Sequence, residues 1–369
     1  MARDLLRVGL IFGGQSPEHE VSIATARNVA AAIDRDRWIP VPIGVARNGT
    51  WLITGDPFQR LVNGEEPSAG QAWLSPWEEG ADEVEPPDIF MPLIHGAGGE
   101  DGRIQGYLDT LGLPYSGGSV LPLACGMDKW LARNVWSSTG LTTVPFVGVT
   151  EQQWRTNREL VQRSISRFGL PLFTKPANLG SSIGVRKVHK SSDVPDAVEH
   201  ALAFDERILV EPAIDAREIE VGILASSPML VSEPGEVLVA GDFYSFHEKY
   251  VSGRSSSRVP AKVSQQRRDE LRGIARQAFE SLDGDGMARV DFFVCRKTDT
   301  AYLNEINFVP GFTDSSMYPN LMATVGLNYT DLISALLDIA LERNAKKRTN
   351  NSKFASGDDW FHDGPRPQG

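Results

Sequence analysis

Hydrophobic and polar residues alternate through residues 287–294, and β-branched or aromatic side chains fill the apolar positions, so this stretch predicts a strand. Residues 303–307 predict a second strand. Between them, residues 296–300 form a polar connector of hairpin length. In a hairpin symmetric about Thr298 and free of a bulge, Asp291 lies opposite Glu305 and Arg289 opposite Asn307. Side chains on a strand alternate faces, so Arg289, Asp291, Glu305 and Asn307 share one face while Val290, Phe292 and Ile306 share the other. Two carboxylates and an amide oxygen suit a hard cation such as Mg2+, and the arginine suits negative charge developing beside it. An exposed strand face with a salt bridge has the same pattern.

The rest of the chain reads as mixed α and β. Residues 7–12 predict a short apolar strand running into Gly13-Gly14, after which Ser16 is placed to cap and Pro17 to open a helix that carries Val21, Ala24, Val29 and Ile33 inward. Such a βα unit usually begins an open α/β domain. A strand over 89–94 delivers His95 and its glycine-rich loop, and 102–111 predicts a helix. Further strands are expected over 144–149, 170–174, 183–188, 208–212 and 218–224. Further helices are expected from near Met127, over 193–203, over 268–282 and over 325–343. Residues 49–87 read as irregular excursions around short strands, and 344–369 as a disordered tail. Residues 242–259 are too polar for a core element and suit a mobile lid.

Composition narrows the class. A chain of 369 residues has room for two or three domains, and 41% hydrophobic with 23% charged residues describes an ordinary globular protein. Acidic residues outnumber basic ones 48 to 37, and no basic run offers a footprint for nucleic acid. No signal peptide or membrane span is legible. Cys125 and Cys295, both in apolar company, are too few for a disulfide framework, and no histidine pair has zinc-ligand spacing. The expected location is the cytoplasm.

Two loops add chemistry. Residues 175–184, with Lys175, Ser181 and Ser182 among small residues, expose backbone N–H groups suited to phosphates but lack the G-K-[ST] ending of a P-loop. After Asn307 the chain breaks at Pro310-Gly311 into a loop rich in hydroxyls, where the Gly311 amide, Ser315 and Ser316 are within reach of an oxyanion or carboxylate at the hairpin site.

Six segments then stand in order: Gly13 through Ser22, His95 through Gly106, Gly126-Met127-Asp128-Lys129, Lys175 through Ser182, Glu248-Lys249-Tyr250, and the hairpin. With them the chain resembles, over nearly its whole length, the D-alanine:D-alanine ligases of the ATP-grasp superfamily. The resemblance implies an α/β (α+β) fold of three-domain ATP-grasp architecture. An N-terminal open α/β substrate domain would span 1–124, a central ATP-grasp domain 125–212, and a C-terminal ATP-grasp domain with lid and metal site 213–345, before a tail over 346–369. It implies ATP-dependent joining of two D-alanines through D-alanyl phosphate, giving ADP and phosphate, for peptidoglycan precursors. Two Mg2+ ions, replaceable by Mn2+, and a homodimeric state are part of that expectation, with ATP and D-alanine as the small-molecule partners and neither nucleic acid nor membrane.

Roles carry over by position. Glu18 matches the carboxylate that holds the first D-alanine's ammonium group, with Ser181 and Tyr250 as its network partners and His95 nearby. Lys249 and Ser316, with Met317 beside it, match contacts to the second substrate. Lys129 and Lys175 match lysines on the ATP phosphates, Ser182 belongs to the phosphate-covering loop, and Glu211 and Glu218 match the carboxylates at the adenine amine and the ribose. Asp291, Glu305 and Asn307 match the Mg2+ ligands, and Arg289 and the Gly311 amide match the oxyanion stabilisers. Ser245, His247, Phe308 and Val309 depart from the usual pattern, which bears on fine substrate choice. Another carboxylate-amine or depsipeptide ligase, including one making D-alanyl-D-lactate, stays open, as does an analogue-resistant second copy. Tyr250, absent from the D-lactate enzymes, favours the dipeptide. A dinucleotide oxidoreductase would need G-x-G-x-x-G where the chain has Phe12-Gly13-Gly14-Gln15-Ser16-Pro17.

Overall fold

Three sheets divide the work of burying apolar side chains. In the computed structural model, which describes residues 5–67, 84–238 and 256–351, the first sheet is centred on β1 (Leu6–Gly13). Strands β2 (Trp38–Val45) and β4 (Ile89–Pro92) flank β1 in parallel, and β3 (Trp51–Leu52) runs antiparallel to β2. Helices α1 (His19–Ala32), α2 (Pro57–Val62) and α3 (Arg103–Thr110) accompany this sheet. The short strand β3 and the helix α2 are the order found within the stretch read as irregular.

Two antiparallel sheets follow. The second has the order β5 (Val147–Thr150), β8 (Arg207–Pro212), β6 (Leu172–Pro176), β7 (Arg186–Val188). Helices α6 (Glu151–Thr156), α7 (Arg158–Ser166) and α8 (Val194–Leu202) pack on it through Trp154, Ile165 and Val198. The third has the order β12 (Ser256–Arg258), β11 (Gly235–Leu238), β9 (Ala216–Leu224), β13 (Met287–Cys295), β14 (Ala301–Asn307), with β10 (Leu230–Val231) also beside β9. Helix α9 (Gln265–Ser281) covers one face of it with Leu271, Ala275 and Phe279.

Sequence order and packing order differ. Helices α4 (Val120–Met127) and α5 (Lys129–Ser138) precede the second sheet in the chain, yet Leu123, Ala132 and Trp136 join the core of the third. Trp136 is fully buried and its indole N–H donates to the Ala278 carbonyl at 3.1 Å. Burial of a side chain this large contributes roughly 3 kcal/mol, which fixes α5 and the charged residues it carries. Helix α10 (Met317–Ala323) and helix α11 (Tyr329–Asn351) close the chain, and α11 returns to the first sheet with Leu332, Ile333, Leu336 and Leu337. The expected boundaries at 124/125 and 345/346 therefore fall inside α4 and α11.

Several local expectations need correction. Helix α1 buries Ile23, Ala26 and Val29, while Val21 and Ala24 face a cleft instead of the core. A period of 3.6 residues accommodates either stripe, and the open side of the first sheet decides between them. The helix bearing Lys129 begins at Lys129 itself, because Asp128 leaves helical geometry and its carboxylate accepts the Leu131 N–H at 2.9 Å. The last helix runs to Asn351, past the expected end at 343. Residues 256–258 of the expected lid form strand β12 against β11, and residues 242–255 lie outside the described residues. Cys295 sits at the hairpin end beside Thr298, whose hydrogen bond draws its thiol pKa down. Among the described residues no helix is long and apolar enough to cross a membrane.

Candidate active site

The hairpin places its polar cluster by a route the sequence conceals. Asp291 pairs with Glu305 and Arg289 with Asn307, but nearer the turn Phe292 pairs with Leu303 and Val294 with Ala301. The register shifts by one residue at Asp291/Phe292, leaving Asn304 without a cross-strand partner as a bulge. The expectation of a symmetric, bulge-free hairpin is thus corrected. Continued unbroken from the turn, the same ladder would set Asn304 opposite Asp291 and turn Glu305 and Asn307 onto the apolar face. The bulge returns both to the polar face and sends Ile306, 3% exposed, into the core.

Around this face the charges are closely matched. The Arg289 guanidinium donates to both Asp291 oxygens, at 2.7 and 2.6 Å, and meets a Glu220 oxygen at 3.0 Å. Burial works against its charge, but Asp291, Glu220 and Glu305 hold it protonated. Asn307 donates its amide to Asp291 at 3.0 Å. Among the described residues no three His, Cys, Asp or Glu stand together as a metal site. Two carboxylates and an amide nevertheless fit Mg2+, which takes few protein oxygens and fills its shell with water or phosphate.

Strands β6 and β7 carry the second component. Lys175 near the end of β6 leads into the loop, and Ser181 and Ser182 take left-handed backbone conformations with φ of +52° and +59°. Non-glycine residues adopt these only when their surroundings hold them there. The Ser181 hydroxyl donates to the Glu18 carboxylate at the start of α1, so the loop is tied to the first sheet. Lys129 spans the other side, donating to the Leu179 carbonyl at 2.8 Å and meeting Glu305 at 3.3 Å.

Beneath the loop lies a fully buried ionic node. Glu211, 1% exposed on β8, is held by Lys175 and by Arg133, whose guanidinium lies 2.7 Å from it. Burial raises the pKa of such a carboxyl, but the two cations outweigh it and hold Glu211 below the usual carboxylate range. Read without the family, Glu211 is a solvated charge; the structure makes it the centre of a buried node. Arg133 is absent from the sequence-predicted site. It lies between Ala132 and Trp136 on the buried side of α5, where an arginine would not be expected. That misplacement was the only signal available.

The first sheet contributes the third component. Glu18 is 6% exposed, and a Cβ on Gly96 would stand 2.8 Å from its carboxylate, so only glycine lets that backbone approach. His95 lies within hydrogen-bond distance of the Thr25 hydroxyl at 3.0 Å and of Glu100 at 3.4 Å. Burial lowers the pKa of His95, yet the Glu100 hydrogen bond and the charges of Glu100 and Glu18 raise it above 6.5 on balance. Across from them, the Ser316 hydroxyl accepts the Thr313 N–H at 3.0 Å, which orders the loop carrying Gly311 and leads into Met317 at the start of α10. Thr25, Glu100, Thr313 and Glu220 also escaped the sequence reading.

Apart from the fully buried Arg133 and the Gly96 backbone, these groups line one cleft of about 1420 Å3. Every sequence-predicted site residue within the described segments lies on it: Glu18, His95, Lys129, Lys175, Ser181, Ser182, Glu211, Glu218, Arg289, Asp291, Glu305, Asn307, Gly311, Ser316 and Met317. Lys249 and Tyr250 lie outside the described residues.

Comparison with known proteins gives this geometry a family. Residues 7–118 match the family model described as D-ala D-ala ligase N-terminus, and residues 135–338 the one described as D-ala D-ala ligase C-terminus. A D-alanine–D-alanine ligase of Chlorobaculum tepidum is 40% identical over 354 residues, covering 92% of this chain and 97% of that protein. One from Natranaerobius thermophilus is 36% identical, covering 95% and 99%. The solved D-alanine-D-alanine ligase of Coxiella burnetii is 29% identical, with a TM-score of 0.80 over 95% of this chain and 98% of its own. With both halves matched in order and the likeness running nearly end to end, the chain belongs to the D-alanine–D-alanine ligase family and has its ATP-grasp fold.

Proposed function

We propose that this chain joins two D-alanines at the expense of ATP, and that the cleft residues divide the reaction as follows. The observation that carries this reading is the convergence on one cleft of the hairpin's acid, amide and arginine face, the serine-bearing loop and the buried Glu18. A carboxylate is a poor electrophile and must first be activated. One oxygen of the first D-alanine's carboxylate attacks the γ-phosphorus, the bond to the β-phosphate bridging oxygen breaks, and ADP leaves. The second D-alanine, as its free amine, then attacks the acyl carbon, the C–O bond to phosphate breaks, and the proton lost from the nitrogen leaves with the phosphate.

Glu18, held by Ser181, takes the ammonium group of the first D-alanine, with His95 at its side. Lys129 and the loop amides hold the phosphates. Lys175 turns from Glu211 toward them as the adenine amine approaches Glu211, while Arg133 keeps that carboxylate charged, and Glu218 takes the ribose. Arg289 and the Gly311 amide stabilise the oxyanion at the acyl carbon. Ser316, with Met317 beside it, receives the second carboxylate together with Lys249, and Tyr250 completes the Glu18 and Ser181 network. Asp291, Glu305 and Asn307 would hold Mg2+, which offsets repulsion between two anions when bound. A cytoplasmic setting, in keeping with two free cysteines, and a homodimer belong to the same proposal. Incubation with ATP, Mg2+ and D-alanine tests the reading: one ADP should appear per dipeptide, and AMP with pyrophosphate would overturn it.

A further inference from the structure

Arg133 touches more than Glu211. Its Nε donates to the Asn304 main-chain carbonyl at 3.1 Å and its Nη2 to the Asn304 side-chain oxygen at 2.9 Å, while Nη1 donates to Glu211 at 2.7 Å. Asn304 is the bulge residue, the one left without a cross-strand partner when the register shifts. One turn earlier on the same helix, Lys129 meets Glu305, the residue that the bulge returns to the polar face. The guanidinium is fully buried, so its geometry is set by these three acceptors.

We propose that Arg133 is a positioning residue that pins the Asn304 bulge, so that Glu305 and Asn307 stand on the same face as Asp291, and so couples the buried Glu211 node to the hairpin's cation site. A planar fork suits this task because it reaches a carbonyl, an amide oxygen and a carboxylate at once, which a lysine ammonium on a flexible stem does not reproduce. Strand pairing alone does not fix the bulge: the ladder nearer the turn, continued without it, would carry Glu305 onto the apolar face. The fork supplies acceptor-specific contacts at the one residue where the two registers meet. The inference rests on the cation reading above.

The test uses Arg133→Lys and Asn304→Ala in the full chain, with Mn2+ as probe. Mn2+ binding is followed by the loss of its free electron paramagnetic resonance signal beyond that caused by a non-hydrolysable ATP analogue alone, with the analogue present and D-alanine absent. Both variants should weaken Mn2+ binding, Arg133→Lys by about tenfold or more, as is usual when a group that orients a metal ligand is lost. The Mg2+ concentration giving half-maximal ADP release should rise in parallel, while the affinity of Asn304→Ala for the analogue without metal changes little, since that change leaves Arg133 paired with Glu211. The double variant should be no weaker than Arg133→Lys alone, because both changes break the same contact. A fall in melting temperature with unchanged Mn2+ affinity would overturn the proposal. Should Arg133→Lys fail to fold, unchanged Mn2+ affinity in Asn304→Ala overturns it equally. Absence of D-alanine-dependent ADP release in the wild type would instead count against the activity, and the Mn2+ result stands apart from it.

Discussion

Two acidic centres face the same cleft and are held in opposite ways. Asp291 takes its hydrogen bonds from its own hairpin, from Arg289 two residues away and Asn307 on the paired strand. Glu211 is held by Lys175 on the neighbouring strand and by Arg133 on a helix 78 residues earlier. The side chain of Asp291 remains 13% exposed, against 2% for Glu211. The same pairing of acid and base thus serves two ends: one carboxylate sits at the edge of solvent with its partners close in sequence, and the other is a fixed internal charge. Charge at the first should govern chemistry, and charge at the second should govern stability and the shape of the nucleotide pocket.

The comparison breaks most visibly at the hairpin. Asp291→Asn or Glu305→Gln should lower the rate of ADP release at saturating D-alanine by about a hundredfold or more, because an electrostatic stabiliser of this kind is worth roughly 3 kcal/mol. Asp291→Asn should leave unfolding free energy within about 1 kcal/mol, since Arg289 keeps Glu220 as a partner. Near-normal turnover at saturating Mg2+ would show the hairpin face to be structural.

Glu211→Gln should act in the opposite sense. It leaves Lys175 and the fully buried Arg133 facing a neutral amide, and breaking a buried ion pair costs on the order of 3 kcal/mol in urea unfolding. A loss no larger than that of Asp291→Asn would erase the distinction between the two centres. Acid sharpens it further. The folded pKa of Glu211 lies below its ordinary value of 4.5, so the unfolded chain binds the proton first, and the stability this group contributes is full above pH 4.5 and is lost as pH falls through the folded value. The gap between wild type and Glu211→Gln should therefore narrow below pH 4.5. His95 runs the other way: with its pKa raised above 6.5, its contribution is full below 6.5 and fades as pH rises through the folded value. The smallest effect belongs to the far end of the same hairpin. Arg296→Ala removes an exposed pair with Asp215 and should change stability in urea unfolding by less than about 0.5 kcal/mol.

The legibility of the two centres in the sequence follows the same division. Alternation over two strands was enough to gather Arg289, Asp291, Glu305 and Asn307, because a strand's period is local. The bulge was not legible: a one-residue slip near Asn304 leaves composition and alternation on each strand unchanged, and the symmetric reading met the right pairs from a wrong turn geometry. The Glu211 node was hidden altogether, since its partners lie on other elements and an arginine beside Trp136 announces nothing until α5 is packed. Helix α1 failed for a related reason, as Val21 and Ala24 are apolar residues that the fold spends on a cleft wall. The strands at 7–12, 89–94, 208–212 and 218–224 were plain from periodicity, but β2 was not read at all and the three-part arrangement came from the family resemblance; the sharing of α5 and α11 between cores depends on contacts far apart in the chain.

The central claim is that one carboxylate oxygen of the first D-alanine ends on the transferred phosphoryl group. D-alanine labelled with 18O in its carboxylate, incubated with ATP and Mg2+, tests this directly when the phosphate is recovered and analysed by mass spectrometry. The account predicts one 18O in phosphate for each dipeptide formed, with ADP as the nucleotide product. Unlabelled phosphate accompanying labelled dipeptide would contradict it.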